Sequence, residues 1–165
     1  MRNLIVLITL FAVGCSEFTR SPSGPLKYSA PPGWKVKYDG KKGVGFYSAT
    51  PAEPGFNLLM FSKWPFSSES VDISTFVGKL AEEFRSSIAK FPYTFTNSQP
   101  QIEQLAGASC SGRYVVFQFK MGEKEILQAM FMLNVEGEIW NGQFTGSPQD
   151  WTRSLELLKS LERVR

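Results

Sequence analysis

The sequence predicts an α+β fold in which a mostly antiparallel sheet is flanked by two helices. Three observations predict it. Several stretches alternate apolar and polar residues, or run apolar throughout, between glycine-containing turns, which is the pattern of strands joined as hairpins. Residues 72–90 instead place Ile73, Phe76, Val77, Leu80, Phe84 and Ile88 at steps of three and four, the period of a helix with one apolar face. The stretch 124–135 carries Leu127, Ala129, Phe131, Leu133 and Val135 on one side and Ile126, Met130 and Met132 on the other, so it reads as a central strand covered on both faces.

In chain order, Leu4 to Val13 is an uncharged run preceded only by Arg2. As a helix it would reach roughly 15 Å against a hydrocarbon core of about 30 Å, too short to span a bilayer. It has the layout of a signal peptide. The stretch Phe11-Ala12-Val13-Gly14-Cys15 that ends it resembles the lipobox of bacterial lipoproteins. That resemblance implies removal of residues 1–14, acylation of Cys15 as the new N-terminus, and a place in the cell envelope, on the outer membrane if the cell is Gram-negative. Ala12 stands where Leu is commonest in the motif. A diacylglyceryl cysteine carries two chains, and two chains anchor durably where one is marginal.

Residues 15–25 form the lipidated N-terminus and a tether. Ser16 to Pro25 is rich in Ser, Pro and Gly without apolar periodicity. Residues 26–165 follow as a single globular domain. Lys35 to Tyr38 is the first expected strand, Asp39 to Gly43 a turn, Val44 to Ala49 the returning strand, and Phe56 to Phe61 a third. Gly43-Val44-Gly45 enters a strand, where a phosphate-binding glycine motif would open a helix, so turn chemistry accounts for it. Asp72 is the expected N-cap of the helix running to about Lys90. Beyond Phe91-Pro92-Tyr93 come strands over 99–105, 109–120, 124–135 and 138–146. Ser147 then caps a second helix, with Pro148 at its first position and Trp151, Leu155, Leu158 and Leu161 as its buried stripe. This helix is available for the sheet face that the first leaves open.

The order of these elements is similar to the PsbP-like superfamily. The residues carrying the resemblance are Pro32-Gly33-Trp34, Ala106-Gly107-Ala108, Phe144-Thr145-Gly146 and the closing Leu157-Leu158-Lys159-Ser160-Leu161. It implies an α/β/α sandwich and, since members of that superfamily mostly bind other proteins, a non-catalytic role. It transfers no functional residue, because fold does not fix function.

Composition excludes more than it assigns. The formal charge of +3 falls to +2 without Arg2, and the lysines are scattered, so no basic stripe interleaved with stacking aromatics marks a nucleic-acid binder. No histidine occurs, which removes Ser-His-Asp and Cys-His nucleophile systems and the commonest zinc ligand. With Cys15 acylated, Cys110 has no partner within the chain and is expected as a small buried strand residue. Ser87-Ile88-Ala89-Lys90 matches Ser-x-x-Lys, but this composition yields on the order of one such match by chance. Glu82 and Glu83 read as a solvated helix face.

No enzyme and no cofactor are therefore expected. The sequence points to a membrane-anchored, non-catalytic protein-interaction module on the periplasmic or extracellular side, held by lipid at Cys15 and docking an envelope protein. Its candidate contact is Trp64-Pro65-Phe66, rigid aromatics of the type that anchor interfaces. The alternative is a carrier for a small apolar ligand between sheet and helix, where the thioethers of Met60, Met130 and Met132 adapt to irregular shapes.

Overall fold

The computed structural model describes residues 19–20, 24–40, 46–51, 57–65, 72–90, 94–96 and 100–164. Along them run β1 (Thr19–Arg20), β2 (Leu26–Tyr28), β3 (Trp34–Asp39), β4 (Phe46–Pro51), β5 (Leu58–Lys63), α1 (Ile73–Ile88), β6 (Thr94–Phe95), β7 (Ile102–Ala106), β8 (Cys110–Met121), β9 (Lys124–Val135), β10 (Glu138–Gly146), α2 (Pro148–Lys159) and β11 (Glu162–Arg163). Two sheets result. The larger has eight strands in the order β3-β4-β5-β10-β9-β8-β6, with β7 also paired to β8; the smaller is β1-β2-β11. All the pairings are antiparallel.

The turns set the register of the central meander. Glu136 and Gly137 both take positive φ, 47° and 88°, as a two-residue hairpin of the twist-matching kind requires. Asn134 Oδ1 accepts from Gly137 N at 2.8 Å and holds that turn closed. Strand alternation then sorts the large sheet into two faces. One carries Tyr47, Leu59, Phe61, Leu127, Phe131, Leu133, Trp140 and Phe144, covered by Trp151, Leu157 and Leu158 of α2 and by Leu26, Tyr28 and Leu161 of the small-sheet region. The other carries Val115, Phe117, Ile126, Met130, Met132 and Ile139 beneath Val77, Leu80 and Phe84 of α1.

The expected α/β/α sandwich is overturned. Among the described residues strand makes up 52% and helix 24%, with two helices, so they are mostly antiparallel β-sheet. The physical reason lies in the unequal cover of the two faces. On one, α2 packs over β9 and β10 while β2 lies over β4, where Tyr28 and Tyr47 rings meet at 6.1 Å, so half of that layer is itself sheet. On the other, α1 packs chiefly over β8 and β9, with a smaller contact to β7, toward one end of the strand order. The register brings Lys37, Ser48 and Met60 side by side on that uncovered half, with Ser62 and Asn141 alongside. Lys35 and Lys37 are exposed there, and Ser48, Thr50, Ser62 and Asn141 are half-buried. Polar residues at these alternate positions need no helix over them.

The element positions agree with expectation in the meander: β9 and β10 begin and end at the expected residues. Asp72 caps α1, its Oδ1 accepting from Ser74 N at 3.0 Å, and Ser147 caps α2, accepting from Asp150 N at 3.1 Å. The third expected strand shifts two positions, to Leu58–Lys63. Within the stretch read as a tether, Thr19–Arg20 pairs with Lys27 and Tyr28, and Gly24 is buried against Tyr47. Residues 1–14, Cys15 and the expected turn at 41–43 lie outside the described residues.

Candidate binding cleft

Along the side of α1, where the uncovered half-sheet begins, an open cleft of about 260 Å³ is lined by Met60, Ser62, Leu80, Met130, Asn141 and Gln143. Its floor is the paired positions Phe61 and Gly142, which also line it. Phe61 sends its ring to the opposite core, so it meets the cleft through its backbone. Leu80 forms the helix wall. Met60 and Met130, opposite Gln143 from either side in register, flank that residue with flexible thioethers.

The polar side of the cleft is two hydrogen-bonded sets of neutral groups across three strands. Ser62 Oγ donates to Asn141 Oδ1 at 3.3 Å. Gln128 Nε2 donates to Gln143 Oε1 at 3.4 Å, and Thr145 Oγ1 donates to Gln128 Oε1. Gln128 is buried, so its amide is committed to this set. Asn141 and Gln143 accept through their oxygens, which leaves their amide nitrogens as donors at the cleft. None of the lining side chains titrates near neutral pH. The arrangement can bind acceptor oxygens and cover short apolar groups, and the one hydroxyl among its described lining residues, Ser62 Oγ, donates to Asn141.

The residues singled out from sequence are dispersed around the fold. Met60 and Met130 meet at the cleft, while Met132 is fully buried under α1. Trp64 follows β5 and packs edge-on to Phe76 of α1, ring centroids 4.9 Å apart, with its backbone N donating to Ile139 O at 2.7 Å. Pro65 beside it is exposed, and Phe66 lies outside the described residues. Cys110 is 5% exposed, its thiol donates to Leu158 O at 3.2 Å, and burial pushes the thiol pKa up. Ser87 is exposed near the end of α1, as are Glu82 and Glu83 on its outer side. Among the described residues no group of acidic residues or cysteines is placed to hold a metal ion, and no helix is long and apolar enough to cross a membrane.

Ser62, Asn141 and Gln143 were not singled out from sequence, and Leu80 was legible only as part of the apolar face of α1. The legible signal was polarity at alternate positions inside otherwise apolar strands, as in Asn141 and Gln143. The pairing that brings them beside Met60 and Met130 depends on which strands are neighbours, and β5 pairs with β10 across about half the chain.

No family model and no curated protein matches the chain. Among solved structures, a crystal structure of a protein from Bacteroides thetaiotaomicron has a similar fold, with a TM-score of 0.52 and 13% sequence identity. The match covers 88% of this chain and 47% of that one, so this chain spans less than half the length of its structural relative. At that identity the likeness concerns the fold alone.

Proposed function

We propose that the chain is a non-catalytic binding module, anchored by lipid at Cys15 in a bacterial cell envelope, that takes a small uncharged ligand with acceptor oxygens and a short apolar part. The observation that carries this reading is the cleft, where two amide groups stand among Met60, Met130 and Leu80. Its volume lies just below the ~300–1,000 Å³ of pockets that hold drug-sized molecules, which favours a short ligand over a long acyl chain. The uncharged lining favours an ester or amide carbonyl over a carboxylate, whose burial without a cation is costly. Cys15 acylation is the sequence-based half of the reading and is supported by the Phe11–Cys15 stretch.

Docking of an envelope protein is the second reading, favoured by the exposure of Pro65 beside the packed Trp64. The two are separated by native mass spectrometry of protein extracted from membranes in mild detergent, followed by NMR titration with a panel of short-chain esters and N-acyl amides. The ligand reading expects a bound small molecule, or shifts confined to Leu80, Met130, Asn141 and Gln143. A Gln143→Trp variant, which fills the cleft from its exposed rim, loses both while keeping its unfolding midpoint. An unliganded mass, with no probe shifting those resonances, refutes it.

A further inference from the structure

We propose that the side of the domain formed by α2 and the β1-β2-β11 sheet lies on the headgroup layer of the bilayer that holds Cys15, with the cleft turned away from that bilayer. This orientation rests on the lipidation of Cys15 proposed above. The first argument is the length of chain between anchor and fold. β1 begins at Thr19, and its residues pair in register, Thr19 with Tyr28 and Arg20 with Lys27. Only residues 16–18 separate Cys15 from it, and four Cα steps reach no more than about 14 Å. An unpaired stretch to Pro25 would have reached roughly 33 Å.

The strand that receives β1 is fixed to the core. Leu26 N donates to the buried Tyr47 hydroxyl at 3.0 Å, Val164 N donates to Pro25 O at 2.8 Å, and Glu162 pairs with Lys27 on the other edge. The point from which the anchor departs is thereby part of the rigid body. Its position also sets the orientation. β2 packs with α2 against the face of the large sheet that carries Phe61 and Phe131, whereas α1 and the cleft lie on the opposite face. Helix and sheet layers are spaced by about 10 Å, so the outer sides of α1 and α2 differ in depth by more than the leash can compensate.

The surface so placed has headgroup chemistry. Leu26 and Tyr28 point into the core, which leaves Lys27 facing outward, and register sets Glu162 opposite it. Arg153, Lys159 and Arg163 are exposed nearby, balanced in part by Asp150, Glu156 and Glu138 at 3.4, 3.1 and 3.2 Å. A mixed charged surface suits zwitterionic headgroups and opposes entry into hydrocarbon.

The test uses the acylated full-length protein in vesicles of phosphatidylethanolamine and phosphatidylglycerol containing a headgroup-attached quencher. A fluorophore is placed at Glu156→Cys on α2 or at Glu83→Cys on α1. Cys110 is buried and hydrogen-bonded, so the introduced cysteine takes the label. Quenching is expected to be several-fold stronger at position 156 than at 83. A Gly-Ser insertion of about ten residues between Phe18 and Thr19 adds roughly 17 Å of mean reach and should bring the two signals together. Equal quenching on an acylated chain, or stronger quenching at 83, overturns the orientation and leaves the anchor intact. A chain whose N-terminal peptide carries no acyl group by mass overturns both.

Discussion

Gly142 sits in the middle of β10 between Phe61 on β5 and Phe131 on β9, and replacing it with alanine tests how the large sheet is packed. A Cβ built at this position meets Met60 O at 2.2 Å, Phe131 Cζ at 2.6 Å and Phe61 Cβ at 2.6 Å. Ordinary contact begins at 3.4 Å, so a backbone carbonyl would have to withdraw by roughly 1.2 Å and Phe61 by roughly 0.8 Å. Neither is the free end of a flexible chain. Moving Met60 O disturbs the β5–β10 ladder, at about 1 kcal/mol for each bond weakened, and overpacking a filled core adds roughly 1–3 kcal/mol. Gly142→Ala should therefore destabilise the domain by about 2–5 kcal/mol, a large share of the ~5–15 kcal/mol typical of a domain. Gly78→Ala in α1 is the internal contrast, because its Cβ meets only Ile102 Cδ1 at an ordinary 3.6 Å. There the same change removes a helix-interior glycine and should stabilise by about 0.5–1 kcal/mol. Urea unfolding followed by tryptophan fluorescence reads both variants. A Gly142→Ala midpoint that lies within about 0.5 kcal/mol of the parent would refute the packing account.

Two further outcomes follow from the same structure. Trp64→Ala removes the edge-on contact with Phe76 and should cost about 2–3 kcal/mol in the same assay, below the ~3–5 kcal/mol of a fully buried aromatic; a variant of unchanged stability that loses a crosslinked envelope protein would instead make Trp64 a contact residue. Burial is the main cause that pushes both Tyr47 and Tyr114 up to about 12 from 10.0, with Glu103 adding to it at Tyr114, where the hydroxyl donates to the carboxylate at 2.5 Å. The folded state favours the neutral phenols, so their contribution is intact below pH 10 and is lost as pH rises toward 12. Urea midpoints that stay level across that interval would contradict it.

The parts of the fold legible in sequence were those whose partners are close along the chain. β8, β9 and β10 follow one another through tight turns, and two-sided apolarity in 124–135 revealed that β9 is central. Asp72 and Ser147 announced the helices because capping is a local hydrogen bond. What could not be read was the pairing of β5 with β10, which decides both the sheet order and the cleft, since nothing local to Met60 names Gln143 as its neighbour. β2 and β11 are illegible for the same reason: each has two or three residues, too few for a period, and they exist as strands only through pairing, β11 with β2 and β2 with both β11 and β1. The sandwich failed on a further point. Two helices are too few to cover both faces of an eight-stranded sheet, and the polar alternation in Lys35, Lys37, Ser48 and Thr50 marks half of one face as needing no cover.

The clasp between β2 and β11 also bears on the order of events in folding. Ser29 N donates to Ser160 Oγ across 131 residues, so these strands cannot meet until nearly all the intervening chain has collapsed. Closing a loop of that length from a flexible chain costs on the order of 4 kcal/mol in entropy, against a ladder of two residue pairs. The β8-β9-β10 meander closes through short local turns and incurs almost none of that cost. The meander is thus the natural nucleus, and the clasp forms last, once Leu26, Tyr28 and Leu161 have a finished surface to bury against.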